Sequence, residues 1–226
     1  MPLTEIGLMG VKPNHPIMDD SHPSGKIFTN VYTSIYAAPN SPREIYWGLE
    51  LEDPLHVWAF FEWESLDAHK DFAKSFGAEA VQDFPKVLTH GEFSKHVEIR
   101  PTLSPLRAPV TQIVTAFLPA EMAGEARERV EGLVERVVRG LRGGGGGVQG
   151  VSFGWGVEDD FPVRGEVGGM GKVLVLLVGW ESVERCQWFR ETGAFKENLG
   201  LLRGLEGLVK LDVVHVKCRG LWGKKE

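Results

Sequence analysis

The 226-residue sequence lacks several features that would place it in a common functional class. With only two cysteines, Cys186 and Cys218, it can build neither a disulfide framework nor a cysteine-based zinc site. No apolar run approaches the roughly 20 residues needed to span a bilayer, and the N-terminus has no basic-then-apolar signal pattern. Lysines and arginines are scattered and the net charge is −6, which argues against a nucleic-acid surface. We therefore expect a cytoplasmic protein that binds neither nucleic acid nor membranes.

Cofactor and metal motifs are also missing. No glycine-rich dinucleotide fingerprint follows a predicted strand, so we expect no nicotinamide or flavin cofactor. A metal site needs three or four convergent ligands, and the one conceivable grouping is Glu50 with His56 and His96. We expect no metal there and no bound cofactor.

One short pattern occurs twice in the same order, once in each half of the chain. Trp63-Glu64-Ser65 is followed by Phe72, and Trp180-Glu181-Ser182 by Phe189, at identical spacing. Three further pairs of segments match in order: Thr4-Glu5-Ile6 with Thr111-Gln112-Ile113, residues 46–53 with 152–159, and His96-Val97-Glu98 with His215-Val216-Lys217. The sequence therefore predicts two copies of one structural unit in a single polypeptide.

Each copy has the pattern of strand, helix, strand, strand, helix, strand. We place the first copy at residues 1–100 and the second at residues 110–226. Residues 101–109 are rich in proline and are predicted to be the linker between them. The chain is thus predicted to be an α+β protein.

The Trp-Glu-Ser strand end, followed by a helix with an aromatic residue and then Ser or Thr, resembles the antibiotic biosynthesis monooxygenase-like (ABM) family. This family lies within the dimeric α+β barrel superfamily, and the resemblance covers nearly the whole chain. It implies two ferredoxin-like units whose antiparallel sheets form one barrel. Two identical chains usually supply the two sheets, whereas here both are encoded in tandem, so we expect a monomer or a weak homodimer. Family members often carry a histidine where this sequence has Phe72 and Phe189.

Strand alternation assigns two faces to each predicted sheet. One face of the first copy is apolar and should pack under the helices: Val57, Ala59, Phe61 and Trp63. Trp63 and its counterpart Trp180 are predicted to be equivalent buried anchors. The opposite face, which the resemblance places inside the barrel, is aromatic and ionisable in the first copy and small and apolar in the second.

We predict a small-molecule pocket on that opposite face of the first copy. The candidate catalytic residues are His96, Glu50 and His56. The candidate substrate-binding residues are Tyr46, Trp58, Phe60, Glu62 and His215. A carboxylate inside the protein needs a partner, so Glu50 is predicted to pair with His96, or Glu62 with His56. The alternative is that the charged groups lie on a wet rim and that His96 and His215 are hydrogen-bonded structural histidines.

The leading functional hypothesis is an ABM-like enzyme acting on an aromatic or polyketide-like small molecule. His96, with its pKa tuned by Glu50, would remove an acidic proton, and oxygenation, cyclisation or dehydration would follow without a cofactor. The alternative is a non-catalytic ligand-binding or stress-responsive α+β barrel protein, which the phenylalanines at positions 72 and 189 favour. Haem binding through His96 or His215 is a third possibility.

Overall fold

The computed structural model describes residues 2–143 and 146–223, which divide into two compact units. Unit 1 contains the chain up to Glu98 together with the C-terminal segment from Val216. Unit 2 runs from Ile99 to His215. No helix within the described ranges is both long and apolar enough to cross a membrane.

Unit 1 is built on a five-stranded antiparallel sheet. Its strands are β1 (Leu3–Val11), β2 (Glu44–Leu49), β3 (His56–Trp63), β4 (Leu88–Val97) and β10 (Arg219–Leu221). They lie in the order β10-β2-β3-β1-β4. The helices are α1 (Pro23–Ala37), α2 (Leu66–Phe72) and α3 (Ala78–Ala80), with a π-helical segment at Ala73–Gly77 and a 3₁₀ turn at Phe84–Lys86.

The helices of unit 1 cover the sheet face that alternation predicts. The buried side chains of Val57, Ala59 and Trp63 pack in one cluster with Phe28 and Tyr32 of α1. Burying this apolar surface is the main force that holds helix and sheet together.

Unit 2 has a second sheet with its own helices. The strands are β5 (Val110–Leu118), β6 (Val148–Trp155), β7 (Phe161–Pro162), β8 (Met170–Trp180) and β9 (Lys210–Val216). Their order is β6-β8-β5-β9, with β7 paired to β8. The helices are α4 (Gly124–Gly143), α5 (Val183–Arg190) and α6 (Gly193–Arg203). The sheet order matches β2-β3-β1-β4 of unit 1, as expected for two copies of one unit, although their origin by duplication stays a prediction.

The unit boundaries differ from the predicted ones in the segment expected to be a linker. Leu103 and Leu106 are 1% and 0% exposed, and a 3₁₀ turn at Ser104–Arg107 lies between β4 and β5. The backbone of Arg100 also forms a bridge with Phe153. This segment is therefore part of unit 2 and not a free linker. Prolines restrict the backbone, but they do not prevent burial of the leucines between them.

The second difference is at the C-terminus, where β10 joins the sheet of unit 1. It pairs with β2, so that Arg219 lies opposite Trp47. Gly48 permits this approach, because a Cβ there would lie 2.4 Å from the carbonyl oxygen of Lys217. Pairing with β10 satisfies backbone groups that an edge strand would otherwise leave unpaired.

Arg219 anchors β10 to the loop before α1. Its guanidinium donates to the carbonyl of Met18 at 3.2 Å and to both carboxylate oxygens of Asp20, and it lies 5.4 Å from the ring centroid of Trp47. The hydrogen bond from Arg219, and then that from Thr29, lowers the pKa of Asp20. Because the folded pKa is depressed, this stabilisation is present above the unfolded pKa of about 4 and is lost as the pH falls through the folded value.

We expect Asp20→Asn to loosen β10 at neutral pH. The pair is half exposed, so the change should stay below about 1 kcal/mol, or a several-fold increase in amide hydrogen exchange at residues 219–221. The wild-type and variant rates should converge once the pH falls below the lowered pKa of folded Asp20. Asp19→Asn is the matched control, since the lowered pKa of Asp19 comes first from Ser21 rather than Arg219. Equal exchange in wild type and Asp20→Asn at pH 7 would contradict this account.

Candidate functional site

A cavity of about 590 Å³ lies within unit 1, between the sheet and its helices. Its wall includes Glu5, Gly7, Tyr32, Ala59, Phe61 and Phe84. It is thus mostly apolar with a few polar groups, and its volume falls within the range of small-molecule sites, about 300–1,000 Å³.

The cavity is open because two small residues face each other across β1 and β3. Gly7 pairs in register with Ala59, and an added Cβ at Gly7 would make only ordinary contacts, at 3.9 Å or more. At the equivalent positions of unit 2, Val114 pairs with Leu176, and both line a smaller cavity of about 270 Å³. Larger side chains at this one pair therefore fill part of the space in unit 2.

Glu5 is the carboxylate on the cavity wall, and three neighbouring groups contact it. Trp63 Nε1 donates to Oε2 at 2.9 Å, and Ser94 Oγ donates to Oε1. His69 Nε2 lies 3.3 Å from Oε2. The side chains of Glu5 and His69 are 14% and 19% exposed, so these contacts are partly shielded from water.

His96 extends the network away from the cavity. Its Nε2 lies 2.8 Å from Nδ1 of His69, and His96 is 8% exposed. With neutral imidazoles and an ionised Glu5, His96 Nε2–H can donate to His69 Nδ1 while His69 Nε2–H donates to Glu5. Protons can move along such a chain between the buried His96 and the cavity wall.

The local sequence explains why His69 faces the sheet. Ser65 caps α2, because its Oγ accepts from the amide of Ala68 at 3.1 Å. His69 and the buried Phe72 are three residues apart and share one helix face. The ring of Trp63 packs against both, with centroids 4.7 Å from His69 and 5.1 Å from Phe72.

Unit 2 has the same positions without the carboxylate. The residues equivalent to Glu5, His69 and His96 are Gln112, Cys186 and His215. Cys186 Sγ lies 3.4 Å from His215 Nε2. Unit 2 thus retains a contact between the counterparts of His69 and His96, but an uncharged amide replaces the carboxylate of Glu5.

Tyr32 is a further polar residue that lines the cavity of unit 1, together with Lys12, Thr89, His90 and Ser94. The side chain is fully buried, and its Oη has no hydrogen-bond partner among the residues that the structure describes. Burial, and then the charge of Glu5, raises the pKa of Tyr32 far above its usual value. The hydroxyl therefore stays protonated, and no protein group among the described residues accepts its hydrogen.

Most of the site residues predicted from the sequence lie elsewhere. Trp58 Nε1 donates to Glu50 Oε1 at 2.7 Å, and the Trp58 ring stacks on Phe60 at 6.3 Å. Tyr46 Oη donates to Glu44 at 2.8 Å. These aromatic side chains are buried on the sheet face away from the helices, and none lines the cavity.

The predicted pairing of Glu50 with His96 is wrong. β4 runs antiparallel to β1 with His96 opposite Glu5, so His96 lies under α2 on the helix face. Glu50 contacts Trp58 on the other face of the sheet. A strand's alternation separates these two residues onto opposite sides.

The predicted pairing of Glu62 with His56 is also wrong. Both residues belong to β3, where they are six positions and about 20 Å apart. His56 Nε2 instead lies 3.0 Å from Glu92. His215, predicted to bind substrate, lies against Cys186 in unit 2. Within residues 2–143 and 146–223, no three His, Cys, Asp or Glu side chains group as metal ligands, and Glu50, His56 and His96 have separate surroundings.

Sequence reasoning missed Glu5, His69 and Tyr32. Glu5 is the single charged residue of the strand Leu3–Val11, and such a charge is a recognisable signal. His69 is three residues before Phe72, so helical spacing could have placed it on the buried face. Tyr32 carries no comparable signal, because a tyrosine on an apolar helix face is usually core.

Comparison with known proteins supports the fold. No protein family and no curated protein matches the sequence. Among solved structures, an anthrone oxidase-like protein is 14% identical with a TM-score of 0.67, covering 97% of this chain and 93% of its own. A Lactobacillus acidophilus protein provisionally described as a monooxygenase is 14% identical with a TM-score of 0.61, covering 96% and 93%. Chlorite dismutase from Candidatus Nitrospira defluvii is 9% identical with a TM-score of 0.55, covering 95% and 90%.

This chain therefore shares the fold of those proteins. The neighbours have the dimeric α+β barrel fold, and here the predicted α+β class with two antiparallel sheets is confirmed. The predicted closure of both sheets into one barrel within the chain stays a prediction.

Proposed function

We propose that the cavity of unit 1 is the active site of a cofactor-independent oxygenase that acts on flat aromatic ketones of the anthrone type. The observation that carries the proposal is the Glu5 carboxylate, held by Trp63, Ser94 and His69 at the wall of an apolar cavity. The anthrone oxidase-like neighbour supports this substrate class. We also propose that the chain is a monomer or a weak homodimer.

An anthrone suits such a site because its methylene carbon is acidic. Removal of one proton gives an aromatic phenolate, and Glu5 is the group placed to accept that proton. The phenolate can pass an electron to O₂, and the resulting radical pair can couple to a hydroperoxide at the same carbon. Loss of the second C–H proton with cleavage of the O–O bond then gives the quinone and water. The balance is anthrone plus O₂ to anthraquinone plus water, and the substrate supplies all four electrons.

The network behind Glu5 can serve both proton transfers. His69 holds the carboxylate in place, and His96 can supply or receive a proton through His69. A positioned general base contributes about 10²–10⁴ in rate, which is the contribution assigned here to Glu5.

We expect Ala59→Leu to abolish most of this activity. Leucine is the residue at the equivalent position of unit 2, and in unit 1 it would occupy cavity volume. Turnover of anthrone, followed by oxygen consumption and quinone absorbance, should fall at least about tenfold. The melting temperature should stay equal or rise, because filling a cavity commonly stabilises a protein by about 0.5–2 kcal/mol.

Ala59→Gly is the matched control, since it keeps the cavity open and should retain turnover. If the wild-type protein oxidises no anthrone yet binds it tightly, and Ala59→Leu abolishes that binding, the enzyme proposal fails. The non-catalytic ligand-binding alternative is then supported.

A further inference from the structure

Tyr32 is a cavity-lining residue that the proposed proton transfer leaves unused, and its buried hydroxyl has no hydrogen-bond partner among the described residues. The Tyr32 ring packs against Phe61 and Phe84, which line the same cavity. A buried hydroxyl without a hydrogen bond costs free energy. A phenylalanine would pack in its place without that cost, so the hydroxyl has no evident structural use.

The position of Tyr32 relative to Glu5 defines a chemical requirement for the ligand. Both side chains line the cavity, and the charge of Glu5 is close enough to raise the pKa of Tyr32. The tyrosine therefore stays protonated and has a hydrogen to donate to a ligand acceptor, while the carboxylate accepts. A ligand that satisfies both groups presents an oxygen to Tyr32 and an acidic hydrogen to Glu5.

We propose that Tyr32 Oη donates a hydrogen bond to the carbonyl oxygen of the ligand, and thereby selects aromatic ketones over ring systems of equal size that lack this oxygen. The inference rests on the proposed function, because it assumes that the unit 1 cavity is the ligand site. In the reaction above, this oxygen gains negative charge when Glu5 removes the proton. A donor placed at that oxygen stabilises the anion more than the neutral ketone.

Xanthone and xanthene provide a matched pair of probes. They have the same tricyclic skeleton, but only xanthone has the carbonyl, and xanthone has no methylene hydrogen to lose. Binding can therefore be measured separately from turnover, by fluorescence quenching or calorimetry without oxygen. We expect the wild type to bind xanthone at least about tenfold more tightly than xanthene.

Tyr32→Phe should remove this preference and leave xanthene binding unchanged. Its melting temperature should equal or exceed that of the wild type, because the deleted hydroxyl bonds to nothing in the described chain. Tyr36→Phe is the control on the same helix, since Tyr36 does not line the cavity, and it should keep the preference.

The outcomes separate the two proposals. If Tyr32→Phe keeps the preference for xanthone, the assignment of Tyr32 is overturned, while anthrone turnover that is abolished by Ala59→Leu still supports the proposed function. If neither probe binds the wild type, or if Ala59→Leu binds both probes normally, the cavity is not the ligand site and both proposals fall.

Discussion

Glu5→Gln is expected to lower the turnover of anthrone by about 10²–10⁴-fold, the usual contribution of a general base. Glutamine has nearly the shape of glutamate, and the equivalent position of unit 2 already carries Gln112. The amide can still accept from Trp63, but it cannot take a proton from the substrate. The loss should therefore fall on kcat, with xanthone binding kept within about threefold.

Glu44→Gln provides the matched control for this prediction. Glu44 is a carboxylate of the same sheet, but it accepts from Tyr46 and does not line the cavity. Its replacement should leave kcat unchanged. An equal loss in both variants would show a general effect of charge, and full turnover in Glu5→Gln would remove Glu5 from the mechanism.

Much of the architecture could be predicted because it depends on local periodicity. In β3, apolar residues occupy every second position from Val57 to Trp63, which identifies the face under the helices. Ser65 and Ser182, which directly follow the Trp-Glu pairs, mark the start of α2 and α5 as N-caps. These signals can be read from the sequence without knowledge of the tertiary structure.

The site could not be predicted in the same way because it depends on strand register. His96 lies near the end of β4, and the pairing of β4 with β1 has register shifts between Leu8 and Met9 and between Gly10 and Val11. The face of His96 therefore cannot be counted from the far end of β4. The cavity likewise arises from Gly7 and Ala59, which become neighbours only when β1 pairs with β3. The cavity of unit 1 therefore lies on the opposite face of the sheet from the predicted pocket.

The last strand shows the same limit. Nothing in residues 219–221 specifies whether they pair with β2 or continue the strand order of unit 2. The contacts that decide it join Arg219 to Asp20, about 200 positions earlier in the sequence.

Trp63→Ala and Trp180→Ala are each expected to destabilise the protein by about 3–5 kcal/mol. The two residues are 2% and 1% exposed, and each joins the end of a strand to the following helix. Trp63 packs on Phe72 and Trp180 on Phe189, with centroid distances of 5.1 Å in both cases. Chemical denaturation followed by circular dichroism measures the loss, and two variants that unfold like the parent would refute the anchoring role.

Phenylalanine substitutions at the two tryptophans distinguish the packing role of the ring from the role of the indole N–H group. Trp180 Nε1 has no hydrogen-bond partner in the part of the chain that the structure describes, whereas Trp63 Nε1 donates to Glu5. Trp63→Phe and Trp180→Phe should thus lose similar packing, but only Trp63→Phe deprives the carboxylate of a donor. We expect anthrone turnover to fall at least several-fold in Trp63→Phe and to stay unchanged in Trp180→Phe. Equal turnover in the two variants would mean that the Trp63 hydrogen bond does not position Glu5 for catalysis.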